Sequence, residues 1–101
     1  MAYKSYSIVY SHNAVQEIKE AKEWYNNQGK GLVKNLSNDI KNLQTRIKNN
    51  PFFASFEYNE IRSSSCKHFP YKMHYYIDEK RYLVVILSFF HHSREPYWLK
   101  E

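Results

Sequence analysis

Residues 68–90 read HFPYKMHYYIDEKRYLVVILSFF, and the change of pattern within this stretch decides the fold. Phe69, Tyr71, Met73, Tyr75 and Ile77 fall on one parity, and His68, Lys72, His74, Tyr76 and Asp78 on the other. A period of two predicts a strand with one buried and one wet side. Asp78-Glu79-Lys80 supplies a turn. YLVVILSFF (82–90) then returns as a strand apolar on both parities, which places it centrally in a sheet.

Working towards the N-terminus, FEYNEIR (56–62) reads as a further strand and SSSCK (63–67) as a polar connector. Before Pro51 the period becomes helical. Leu32, Leu36, Ile40, Leu43 and Ile47 form a stripe over residues 30–48, stopped by Asn49-Asn50-Pro51. Ala14, Ile18, Ala21 and Tyr25 mark an earlier helix, capped by Ser11 or Asn13 and closed in NNQGKG by Gly29 or Gly31. YKSYSIVY (3–10) alternates as an opening strand with Tyr6, Ile8 and Tyr10 on one face. The order is β-α-α-β-β-β: one α+β domain over residues 1–101, with a helical hairpin covering one face of an antiparallel three-strand meander.

The chain has 101 residues, 43% of them hydrophobic and 25% charged, which excludes a disordered chain. Aromatic residues are abundant at 18%, and the formal charge is +5, a weak pointer to nucleic acid or an acidic partner. The single cysteine, Cys66, and the lack of a signal-like segment point to the cytoplasm. The apolar run Leu83–Leu87 is too short to span a bilayer, so no membrane partner is expected. No phosphate-cradling glycine loop, nucleophile elbow or helix-turn-helix signal occurs, and no cofactor is expected.

Chemistry is expected on the uncovered sheet face. If the helices cover the parity of Leu83, Val85, Leu87 and Phe89, then His92 and Arg94 project from the open side beside Lys72 and His74. Glu60 and Arg62 share a parity and would join them. Cations neutralise phosphates and aromatic faces stack bases. RNA cleavage needs one group to take the 2′-hydroxyl proton, another to protonate the leaving oxygen, and positive charge on the phosphorane. The catalytic candidates are Lys72, His92, Arg94 and Glu60, with Glu60 as base, His92 as acid and Lys72 with Arg62 as clamps on the phosphorane. Arg62, His91, His74, Tyr71 and Trp98 are candidate substrate contacts. Taken singly, Arg62 and Lys72 read equally as solvated charges and Glu60 as a cross-strand salt-bridge partner. Adjacent His91 and His92 point oppositely along a strand, and no cysteine or carboxylate completes zinc-ligand spacing, so no metal is expected.

The joint occurrence of A-x-x-E-I-x-x-A-x-x-W-Y (14–25), N-P (50–51), I-R (61–62), F-P-Y-K-M-H-Y-Y-I-D (69–78) and H-H-S-R-E-P-x-W (91–98) resembles the RelE/ParE superfamily of bacterial toxins. The resemblance spans nearly the whole chain. It implies the toxin half of a type II toxin–antitoxin module, of the plasmid-stabilisation kind, neutralised by a cognate antitoxin. RelE-like members cleave messenger RNA in the ribosomal A site, and ParE-like members poison DNA gyrase. By resemblance, Lys72 stands where RelE-like nucleases carry a phosphate-contacting arginine, and His91, His92 and Arg94 where they carry basic or histidine catalytic residues. The paired lysines of the RelE-type strand are replaced by Tyr58 and Glu60, and the long helical hairpin is more ParE-like. The leading expectation is ribosome-dependent endoribonuclease activity. The alternatives are a gyrase-binding toxin and an interaction module without toxicity.

Overall fold

In the computed structural model, residues 5–29 and 31–94 are described. Strand β1 (Ser7–Tyr10) leads into helix α1 (His12–Asn26) and then α2 (Leu32–Asn49). The strands β2 (Phe56–Tyr58), β3 (Ile61–Ser65), β4 (Tyr71–Asp78) and β5 (Leu83–His91) follow. Among the described residues the sheet has five strands in the order β1-β5-β4-β3-β2. β1 pairs parallel to β5, and the other pairings are antiparallel. This is the expected α+β architecture of a strand, a helical hairpin and a meander.

The helices form where the apolar spacing predicts. Ser11 is the N-cap of α1: its Oγ accepts from the Ala14 N–H at 3.0 Å and donates to the Leu87 carbonyl at 2.9 Å, tying the helix start to β5. Neither glycine closes α1, whose C-cap is Asn27. Gly31, at φ 86°, instead starts α2, where a left-handed backbone turns the chain between the helices. Ala14, Ala21, Leu36, Ile40, Leu43 and Ile47 are buried against Met73, Tyr75, Val84, Ile86 and Phe89 of the sheet.

Two features depart from the sequence expectation. FEYNEIR is not one strand. It folds back at Asn59 (φ 44°) so that Tyr58 pairs with Ile61, and Ser63–Ser65 of the supposed connector belongs to β3. The meander therefore has four strands. Asparagine tolerates the left-handed conformation that such a tight turn demands. The second departure is a bulge in β5. His74 pairs with Ser88 but Tyr75 with Ile86, leaving Leu87 as the extra residue. Val84 and Ile86, rather than Leu83 and Val85, face the helices, and beyond the bulge Phe89 and His91 do.

Candidate functional site

The sheet face away from the helices is built by β2, β3 and β4 with the end of β5. Ser63 lies across from His74 and Ser65 across from Lys72, so all four project from that face. Lys72 pairs in turn with Phe90, which places His92 on the same side. The His92 N–H donates to the Pro70 carbonyl at 2.9 Å, and its Nε2 lies 3.4 Å from Ser65 Oγ.

At the centre sits a carboxylate that strand parity alone did not reveal. Glu57, on β2, receives Lys72 Nζ at 3.0 Å on each oxygen. Ser63 Oγ–H donates to its Oε1 at 2.6 Å, and His74 Nε2 lies 3.2 Å from its Oε2. Burial pushes the Glu57 pKa up, but the hydrogen bonds from Ser63, Lys72 and His74 outweigh it and hold the carboxyl down at about 2. An ionised carboxylate accepts, so His74 carries its proton on Nε2. Burial dominates the His74 ring and lowers its pKa despite Glu57, so the imidazole there is neutral at pH 7.

His74 keeps the predicted face but is not wet. It is fully buried, stacked on Phe90 at 4.9 Å and 6°, with the Tyr58 ring 5.8 Å away. Lys72 and Glu57 remain partly open, with side-chain exposures of 22% and 26%.

Three expected members of this face stand elsewhere. Glu60 occupies the exposed β2–β3 turn, because the hairpin breaks the parity that would have aligned it with Arg62. Arg62 pairs with Tyr75 and so faces the helical side. There its guanidinium donates to the carbonyls of Ala54 at 2.6 Å and Phe52 at 3.2 Å, and it lies 4.0 Å over the Phe56 ring. It is a clamp on the segment after α2 rather than a solvated charge. Arg94 follows a turn closed by its N–H onto the His91 carbonyl at 3.0 Å, which ends the strand alternation. It lines a cleft of about 180 Å³ against α1 with Glu17, Trp24, Tyr71, Phe89 and His91.

That cleft also collects the two remaining described candidates. Tyr71 stacks on Phe89 at 4.9 Å and meets His91 edge-on at 5.5 Å. His91 Nδ1 accepts from the Ser93 N–H at 3.1 Å and lies 2.8 Å from Ser93 Oγ. Glu17 accepts the Phe89 N–H at 2.9 Å, and burial raises its pKa. Trp24 is half exposed at the rim of the cleft. Trp98 lies outside the described residues. The structure thus divides the expected site in two: Lys72, His74 and His92 on the open face, His91, Arg94 and Tyr71 beside α1.

A third polar cluster was also not foreseen. Asp39, on the buried stripe of α2 and 2% exposed, accepts from the His68 N–H at 2.9 Å and lies 3.2 Å from His68 Nδ1. It straps the β3–β4 connection to the helix. Cys66, the first residue of that connection, is buried, its thiol pushed up to about 12 by burial and then by Asp39, which removes it as a nucleophile at neutral pH. Among the described residues no group of three or more His, Cys, Asp and Glu side chains is placed to hold a metal, and no helix is long and apolar enough to cross a membrane.

No protein-family model and no curated protein matches the chain by sequence. Solved structures do match its fold. The chain is similar to a structure described as the chromosomal ParDE toxin–antitoxin system from P. aeruginosa, at TM-score 0.70 and 14% identity over 86% of this chain and 96% of that one. It is similar to the RelBE2 toxin–antitoxin complex from Mycobacterium tuberculosis at TM-score 0.62 and 15% identity, over 87% and 99% of the two chains. It is likewise similar to the isolated E. coli RelE toxin at TM-score 0.63 and 12% identity, over 95% and 94%. At 12–15% identity these likenesses are of fold, and the chain has the fold shared by these RelE and ParE toxin–antitoxin structures.

Proposed function

We propose that this chain is the toxin of a toxin–antitoxin pair, held inactive by a cognate antitoxin protein, and that it cuts messenger RNA on the ribosome. One observation carries the reading: Lys72, Glu57, Ser63 and His74 converge on the uncovered sheet face that also bears His92. These are the group types that transesterification requires. The 2′-oxygen attacks phosphorus, the P–O5′ bond breaks, and the departing O5′ takes a proton, leaving a cyclic phosphate and a 5′-hydroxyl. Lys72 stabilises the charge on the non-bridging oxygens. His92, exposed at the end of β5, gives the proton to O5′. Glu57 replaces Glu60 as the carboxylate that takes the 2′-hydroxyl proton, once it no longer pairs with Lys72.

The likeness to a ParDE structure favours a second reading, in which the chain binds and poisons DNA gyrase without cutting RNA. Induced expression without antitoxin separates the two. Lys72→Ala with His92→Ala is expected to abolish growth arrest and to lower message cleavage at least about a hundredfold, the scale on which a general acid or charge stabiliser contributes. The far-ultraviolet spectrum and melting temperature should be unchanged within a few degrees. Growth arrest that survives the double substitution, with DNA damage and intact messages, would establish the gyrase reading instead.

A further inference from the structure

The four hydrogen bonds on Glu57 describe a receptor as much as a salt bridge. Ser63 Oγ–H, Lys72 Nζ and His74 Nε2–H approach one carboxylate from two adjacent strands, β3 and β4. Donors that converge on a carboxylate also suit the oxygens of a phosphate, which carries more charge and more acceptor positions. Two of the three are rigidly held. His74 is clamped by its stack on Phe90 within the sheet, and Ser63 lies on a strand paired on both edges.

The anion filling this seat is held far less firmly. β2 is a three-residue edge strand, and its register with β3 shifts between Phe56 and Tyr58, the position of Glu57 itself. The hairpin beyond turns through Asn59 in the left-handed region. Peeling Glu57 away therefore breaks little backbone pairing and opens the seat to solvent from the side where Lys72 and Glu57 are already partly exposed.

We propose that Ser63, Lys72 and His74 form a phosphate-binding seat that the chain closes with its own Glu57 carboxylate, so that a phosphate must displace Glu57 to enter. This deepens the reading above, on which it rests for the identity of the phosphate as an RNA phosphodiester; free phosphate presents the same oxygens. In the closed state Lys72 is neutralised and the carboxylate is too acidic to take a proton. Displacement frees both at once, which couples substrate entry to the readiness of the site.

The test is titration of the purified full chain with inorganic phosphate and, separately, with a short 2′-O-methyl RNA that cannot be cleaved, followed through the amide resonances of Ser63 and His74. Glu57→Ala is expected to bind phosphate about tenfold more tightly than the unaltered chain, the consequence of losing one competing charge-assisted contact. Glu57→Gln, which keeps the side-chain shape, is expected to show a smaller gain and serves if the alanine variant does not fold. Adding Lys72→Met to either should remove the gain. Equal phosphate affinity in the unaltered chain and both folded variants, or a gain that survives Lys72→Met, would overturn the seat. A gain for both probes assigns the seat to the nucleic-acid backbone. A gain for phosphate alone keeps the seat, assigns it to free phosphate, and removes it from the nuclease reading.

Discussion

Glu57 gives the open face its character, because it converts a row of donors into a closed ion pair. Its carboxyl stands at about 2 in the fold against an ordinary value of 4.5. A depressed carboxylate contributes stability that is present above the ordinary value and lost as pH falls towards the folded one. The urea midpoint of the unaltered chain should therefore decline between about pH 5 and pH 2 in part through this group. Glu57→Gln is expected to flatten that decline, by on the order of 1 kcal/mol once solvent screening of a partly exposed pair is counted. Superimposable pH profiles would show that the pair carries no net stability. The residue was legible only in kind. An acidic side chain beside Tyr58 is plain in the sequence, but its approach to Lys72 depends on the chain reversing at Asn59-Glu60, and that pair lacks the glycine that normally announces a two-residue turn.

At the scale of elements, β5 shows how one residue reassigns a whole strand. An uninterrupted alternation would bury either Leu83, Val85, Leu87 and Phe89 or their neighbours. The bulge at Leu87 lets Val84 and Ile86 face the helices and then hands the buried side to Phe89. Deleting Leu87 would remove the extra residue and leave Val84, Ile86 and Phe89 on one uninterrupted parity, so the buried face would keep its members. Straightening the strand with Leu87 retained is what would move Phe89 or the Val84–Ile86 pair to the open face, at about 2–3 kcal/mol per large side chain unburied, enough to unfold a domain of this size. Circular dichroism should therefore show a cooperative melting transition for the Leu87 deletion as for Leu87→Ala, and a lost or broadened one in the deletion alone would mean that the bulge itself is needed to hold β5 on β4. The helices were read more securely. Their stripes and the Ser11 cap are local, and only the role of Gly31 moved, from the end of one helix to the start of the next.

At the scale of the whole molecule, the two sheet faces have separate duties. One is sealed by α1 and α2 over a core that includes Met73, Tyr75 and Phe89, each at most 1% exposed. The other carries the ion-pair cluster. Cys66 belongs to the sealed side, 8% exposed and part of the core cluster. Its labelling by a thiol reagent at pH 7 should consequently be slow and should follow global unfolding, accelerating with urea in step with the loss of circular dichroism. Rapid labelling under native conditions would mean that the β3–β4 connection opens locally, despite the Asp39 strap that holds it to α2. The net charge of +5 is a property of the whole chain, but its expression on the open face is muted by Glu57.

The sequence by itself determined the helical stripes, the strand that carries Lys72 and His74, and the α+β class with its succession of opening strand, helical hairpin and meander. All of these follow from periodicities read within one segment, where side-chain spacing and backbone geometry are coupled locally. Only the tertiary structure decided that Glu57 rather than Glu60 meets Lys72, that Arg62 clamps the Phe52 and Ala54 carbonyls, and that Arg94 leaves the open face for the cleft beside α1. Each of those outcomes depends on a register between strands. A register is set by a turn, a bulge and the packing of the opposite face together, so no single stretch of residues encodes it.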